Sequence, residues 1–198
     1  MVFLTVAALI AGLAYGVLGI DFLPVTVLTQ HTDLVLYILM FCVGISIGTQ
    51  KGVLKRLREN QLTIILVPLG VIVASVLGGV VCGLITHIPL AHSTAITSGM
   101  GWYSLAGATI GEACGPELGS IAFLSNLMRE VFTFVIIPFL AVRFSPYACI
   151  ASAGATSEDT TLPMILKYSN EETVVVSVLN GMICSFFVPI LLSICFRL

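Results

Sequence analysis

The chain has 198 residues, of which 58% are hydrophobic and only 9% charged, with a mean hydropathy of +1.12. That balance lies far outside the soluble range and makes lipid the main solvent; at about 20 residues per crossing there is room for five to seven spans and none for a soluble catalytic domain, so no enzyme activity is expected. The net charge of -2 comes without a basic stripe or an acidic tail, so nucleic acid is not expected as a partner.

Residues 2–20 are uncharged, with no basic segment before them and no small-residue cleavage site after them. They read as a retained helix and not a signal peptide. A second apolar run over 34–48 begins beside Thr32 and Asp33, which suit a helix entry. Then comes a dense basic cluster, Lys51, Lys55, Arg56 and Arg58, opposed only by Glu59. Positive charge favours the cytoplasmic side, which places this loop and the N-terminus inside.

A third span, 62–86, carries Gly70, Ala74 and Gly78 on one stripe and Ser75, Gly79 and Gly83 beside it. Small residues four apart let helix backbones approach closely in lipid, and Gly12 with Gly16 and Gly44 with Gly48 repeat the device. Ordinary helix packing accounts for all of these.

Residues 92–115 mix many Ser, Thr and Gly positions around Trp102, with few bulky apolar side chains. Residues 147–166 are similar, with Gly154, a polar centre and Pro163. Two Gly- or Pro-interrupted segments in comparable positions point to a transporter site, where broken helices free backbone groups for a ligand; the bland alternative is a pair of unbroken polar helices. The helix between them, 116–142, starts at Pro116 and Glu117, both suited to a first turn. The last helix is expected over 173–196. The fold class is thus an all-α polytopic bundle, one membrane domain over 1–198, with about five transmembrane helices and two broken or re-entrant hairpins, the first entered from outside and the second from inside.

On the helix after Pro116, Asn126, Arg129, Glu130 and Thr133 recur at spacings of three and four, with Gly119 extending the stripe. An ionisable group at membrane depth costs about 2.5–3.5 kcal/mol even on the lenient insertion scale, so such groups face a cavity or a partner. A structural ion pair across helices is the competing reading. Glu158 and Asp159 form a second polar centre with Ser157, Thr160 and Thr161, read either as a site or as an aqueous loop whose acids cap the next helix. Glu112, near Cys114, Gly115 and Pro116, suits a solvated turn. Trp102 and Tyr103 offer aromatic faces to an ammonium group or serve as interfacial anchors. His31, His87 and His92 have no metal-ligand spacing, and the six cysteines, Cys42, Cys82, Cys114, Cys149, Cys184 and Cys195, lack any CxxC pair and read as small buried hydrophobes. No cofactor or metal is expected.

The run SGMGWYSLAGATIGEACGPELGSIAFLSNLMREVFTFVIIP, together with GATSEDTTLPMI, resembles the bacterial lysine exporter family of the LysO type. The resemblance covers the chain from its first helix to its end and is most specific over 98–163. It implies export of L-lysine, and of its toxic analogue thialysine, across the bacterial inner membrane. It also implies two membrane-embedded acids important for transport, matched by Glu130 in the MRE run and Asp159 in the GATSxD run. Glu158 beside Asp159 departs from the pattern. Full-length relatives carry further hydrophobic segments before the equivalent of Met1, which leads to the expectation of a small membrane polypeptide or a homo-oligomer as partner. Antiport against protons is the expected coupling, with sodium as the competing driver. The readings from other classes are a non-transporting subunit or ion channel, and an intramembrane aspartyl protease, for which Asp159 lacks a second aspartate at matching depth.

Overall fold

The computed structural model describes residues 11, 14–18, 38, 41, 45, 61–169 and 171–197. Most of the expected spans at 2–20 and 34–48, the basic cluster at 51–59, His31 and Cys42 lie outside the described residues. The chain separates into two units, Met1–Lys51 and Gly52–Leu198. In the first, the described residues are helical, and Val17, Leu18, Ile38, Phe41 and Ile45 are exposed.

The described residues of the second unit form helices joined by short turns. In chain order it contains α1 (Gln61–Thr86), α2 (Leu90–Ser98), α3 (Tyr103–Cys114), α4 (Pro116–Arg143), α5 (Pro146–Ala153), a 3-10 turn (Gly154–Glu158), α6 (Leu162–Tyr168) and α7 (Glu171–Cys195). Stretches of α1, α4 and α7, namely Leu62–Thr86, Pro116–Arg143 and Thr173–Cys195, are long and apolar enough to cross a membrane. Their side chains are sorted for lipid. Leu66, Leu69, Val73 and Leu77 of α1 and Leu124, Phe132, Val135 and Phe139 of α4 point outward, while Asn126, Glu130, Thr133, Ser157, Ser177 and Asn180 are buried. A water-soluble bundle reverses this order. Together with the composition, it makes the chain an all-α membrane protein.

Glycine sets how closely these helices pack. A Cβ on Gly119 of α4 would lie 2.5 Å from the Gly111 Cα of α3, and one on Gly107 would lie 2.8 Å from the Phe123 Cβ. Gly119 therefore serves the α3–α4 contact and does not continue the polar stripe of α4. On α1, Gly79 and Gly83 receive α2, and the Ser93 hydroxyl donates to the Gly79 carbonyl at 2.7 Å. The neighbouring stripe of Gly70, Ala74 and Gly78 is exposed instead.

These contacts give the direction of the first broken segment. Along α1, Ser75 meets Arg129 of α4, while Gly79, one turn later, meets Thr94 and Thr97 of α2, whose neighbour Ile96 meets Asn126 of α4. Hence α1 and α4 run antiparallel, α2 turns back along α1, and α3 lies antiparallel to α4: the chain doubles back at residues 99–102. The link between α3 and α4 is a single residue, Gly115, at φ 97, a conformation that suits glycine. Glu112 is exposed on α3, one turn before that link.

Gly119→Ala places a methyl group against backbone that cannot move aside, so it should destabilise the protein by about 1–3 kcal/mol. Ser120→Ala, on the exposed side of the same turn, should stay within about 0.5 kcal/mol of wild type. Thermal unfolding in detergent measures both, and equal midpoints for the two variants would contradict the α3–α4 packing.

Candidate functional site

The two interrupted helices meet at their breaks. Between α2 and α3 the backbone turns through Met100 (φ 48) and Gly101 (φ 99); between α5 and the 3-10 turn it turns at Gly154 (φ 62). The Ala155 N–H donates to the Met100 carbonyl at 2.9 Å, joining one break to the other. Glycine is required at 154, because a Cβ there would lie 2.5 Å from the Met100 oxygen. Met100 is fully buried and holds a backbone conformation that L residues rarely adopt, a cost that the surrounding contacts must overcome.

Each break is tied to the long helix that follows it by one buried asparagine. Asn126 of α4 accepts from the Gly101 N–H at 2.9 Å and donates to the carbonyls of Ile96 at 2.8 Å and Ala122 at 2.9 Å. Asn180 of α7 donates to the Gly154 carbonyl and to the Ser157 hydroxyl, both at 2.9 Å. The bonded residues stand 25 and 26 positions apart in the chain, so the two halves use the same device. Ser157 and Ser177 add a reciprocal pair, each hydroxyl donating to the other residue's carbonyl at 2.7–2.8 Å. In low dielectric, backbone groups freed by a broken helix are costly unless bonded in this way.

Glu130, one turn beyond Asn126 on α4, lies in this region and is 1% exposed. Neither of its carboxylate oxygens has a hydrogen-bond partner among the described residues. The Thr160 side chain is beside it without a formed hydrogen bond, and the Thr160 hydroxyl is itself unpaired among the described residues. Asp159 is close enough for its charge to act on both Glu130 and Glu158. Thr133, the next polar residue along the stripe, is bonded to the carbonyls of Arg129 and Ser152, at 2.9 and 3.0 Å.

The other candidates divide between the site and packing. Glu158 is held by α7: its Oε1 accepts from the Ser185 hydroxyl at 2.8 Å, and its backbone lies so close to Gly181 that a Cβ there would be 2.6 Å from the Glu158 nitrogen. Asp159 is exposed, and its carboxylate accepts from the Thr160 N–H. Trp102 is half-buried in the first break, its backbone N–H donating to the Gly99 carbonyl at 2.7 Å. Tyr103 packs edge-on against Phe123 with ring centroids 5.3 Å apart. Cys149, Cys184 and Cys195 are buried free thiols, Cys82 is exposed, and no cluster of metal-binding side chains occurs among the described residues.

Met100, Ser177 and Asn180 were not among the residues singled out from sequence. A signal for Asn180 exists, because Asn126-Leu-Met and Asn180-Gly-Met follow the two breaks at nearly equal distance. Asn126→Ala leaves the buried Gly101 N–H without an acceptor, whereas after Asn180→Ala the single Ser157 hydroxyl proton can turn from the Ser177 carbonyl to the Gly154 carbonyl, each 2.8 Å away. Asn126→Ala should therefore cost about 1–3 kcal/mol and Asn180→Ala less. Unfolding in detergent gives the order, and the reverse order would contradict the bonding described.

Comparison with known proteins bears on the same region. The family model described as "Lysine exporter LysO" matches residues 6–196. The chain is 35% identical to the lysine exporter LysO of Escherichia coli over 184 residues, covering 93% of this chain and 60% of that protein. It is 34% identical over 158 residues to a protein of Haemophilus influenzae, covering 80% of each. No solved structure matches. With nearly its whole length matched by the family model, the chain belongs to the lysine exporter LysO family.

Proposed function

We propose that this protein exports L-lysine across the bacterial inner membrane in exchange for protons, with Glu130 receiving the ammonium group and, in alternation, a proton. The observation that supports this reading is a carboxyl group 1% exposed, with neither oxygen bonded among the described residues, beside two helix breaks. A buried acid kept for structure alone is expected to have a partner. A cationic substrate supplies the missing charge. After it leaves, returning a bare carboxylate through an apolar barrier would cost about 2.5–3.5 kcal/mol or more, and a proton on Glu130 removes that cost. Asp159, exposed at the edge of the same region, would pass the ammonium group to and from water, and Glu158 would be its neighbour in that step. Trp102, at the first break, would contribute an aromatic face.

The two breaks provide the means of alternation. Rocking one half against the other about a fixed site is how paired interrupted helices expose a ligand to each side in turn, and here the bond between the breaks is the pivot. The reading extends to thialysine, which carries the same charged ends, and to an N-terminus in the cytoplasm. It also includes a second membrane polypeptide or a second copy of the chain as partner, for which the Gly12–Gly16 and Gly44–Gly48 pairs offer close-packing faces.

Efflux from lysine-loaded proteoliposomes tests the proposal. Acidifying the outside should speed net efflux, and an imposed sodium gradient should leave it unchanged. Glu130→Gln and Asp159→Asn should each lose at least about tenfold in net efflux, as expected when a charge-assisted contact disappears, along with the response to protons. Efflux that ignores the proton gradient, with both variants exporting normally, would overturn the mechanism. A conductance without lysine selectivity would favour an ion channel.

A further inference from the structure

Arg129 stands next to Glu130 on α4, and because successive helical residues point about 100° apart the two charges face different ways. Glu130 faces Thr160. Arg129 instead lines an open cavity of about 540 Å³ between α1, α4 and α5. Ser75, Thr97, Ser125, Asn126 and Tyr147 supply the other polar groups of its wall; the remaining lining is aliphatic or glycine, and no acid is part of it.

A guanidinium carries five N–H donors. That of Arg129 makes one hydrogen bond among the described residues, from Nη1 to the Ser75 hydroxyl at a long 3.3 Å, and no ion pair. The titratable group beside it is the buried thiol of Cys184, not a carboxylate. Its Nη2 borders the second break: a Cβ on Gly154 would lie 3.0 Å from that nitrogen. The break therefore has a positive group at its start, Arg129 at Gly154, and a negative group at its end, Glu130 at Thr160. Both are short of hydrogen-bond partners among the described residues.

We propose that Arg129 takes the α-carboxylate of the transported amino acid, while Glu130 takes its ammonium end. This rests on the export reading above and adds to it the requirement that the substrate be an amino acid and not merely an amine. The planar fork of arginine matches a carboxylate through two parallel N–H···O bonds, which a lysine side chain cannot reproduce. A lipid phosphate offers the same anionic oxygens, and the test separates it.

The experiment uses proteoliposomes of the 198-residue chain, alone and with its partner polypeptide, and compares lysine with cadaverine, which is lysine without its carboxylate. Wild type should move lysine at least about tenfold better than cadaverine, the loss expected for a charged hydrogen-bonded pair. Arg129→Gln should lower lysine transport and abolish the preference for lysine over cadaverine, and Arg129→Lys should recover part of the preference. Since Arg129→Lys keeps the charge and most of the volume, it reports even if Arg129→Gln fails to fold. An unchanged lysine-to-cadaverine ratio in both variants, in a protein that exports lysine, would overturn the carboxylate assignment and leave the export reading standing. A ratio that tracks anionic phospholipid and disappears in phosphatidylcholine vesicles would identify a lipid phosphate site instead and likewise overturn it. Wild-type protein that moves neither compound, alone or co-reconstituted with its partner polypeptide, would remove both readings.

Discussion

A single backbone hydrogen bond, from Ala155 to Met100, joins two helix breaks inside an otherwise apolar bundle, and the rest of the site is arranged around it. Breaking a helix at membrane depth frees donors and acceptors that water cannot reach, so every freed group needs a partner from the protein. Gly154 lets the chains approach, Met100 accepts an unfavourable backbone angle to present its carbonyl, and Asn126 and Asn180 bond to the turns on either side. The two asparagines would be a poor choice in an ordinary transmembrane helix, where no freed backbone group awaits them. Together they make two interrupted helices compatible with lipid.

Against that background the state of Glu130 has meaning. The bundle bonds its buried amides and most of its buried hydroxyls, including Thr133, Ser157, Thr161 and Ser177. It leaves Glu130 and Thr160 facing one another without formed bonds among the described residues, and gives Arg129 only one long contact. Polar groups so placed are the ones a charged guest can bind. The same protein that takes care over neutral groups is sparing with its two strongest charges, and that contrast connects the fold to transport of a charged amino acid.

Much of this organisation was legible in the sequence because lipid imposes simple rules. The spans at α1, α4 and α7 follow from apolar runs of sufficient length, and the two interruptions follow from Ser, Thr, Gly and Pro gathered where bulky apolar residues are absent. Glu130 and Asn126 stood out because polar residues at helical spacing in an apolar stretch need an explanation. What stayed hidden was set by tertiary approach. Gly119 looks like one more small residue on a polar face, and only its contact with Gly111 reveals a packing role. Asn180 lies in a stretch that reads as a plain terminal helix, since the carbonyl it serves belongs to a break 26 residues earlier. Spacing alone also could not separate Glu158 from Asp159, which differ in which side chain α7 holds and which is exposed.

The account stands on Glu130 being the group that lysine touches. A hydrophobic carbodiimide, which couples to carboxyl groups at membrane depth, measures this directly when the modified residue is located by mass spectrometry with and without lysine. The account predicts labelling of Glu130 that lysine suppresses and that an uncharged amino acid such as leucine does not. Glu130 labelled to the same extent at saturating lysine would contradict it.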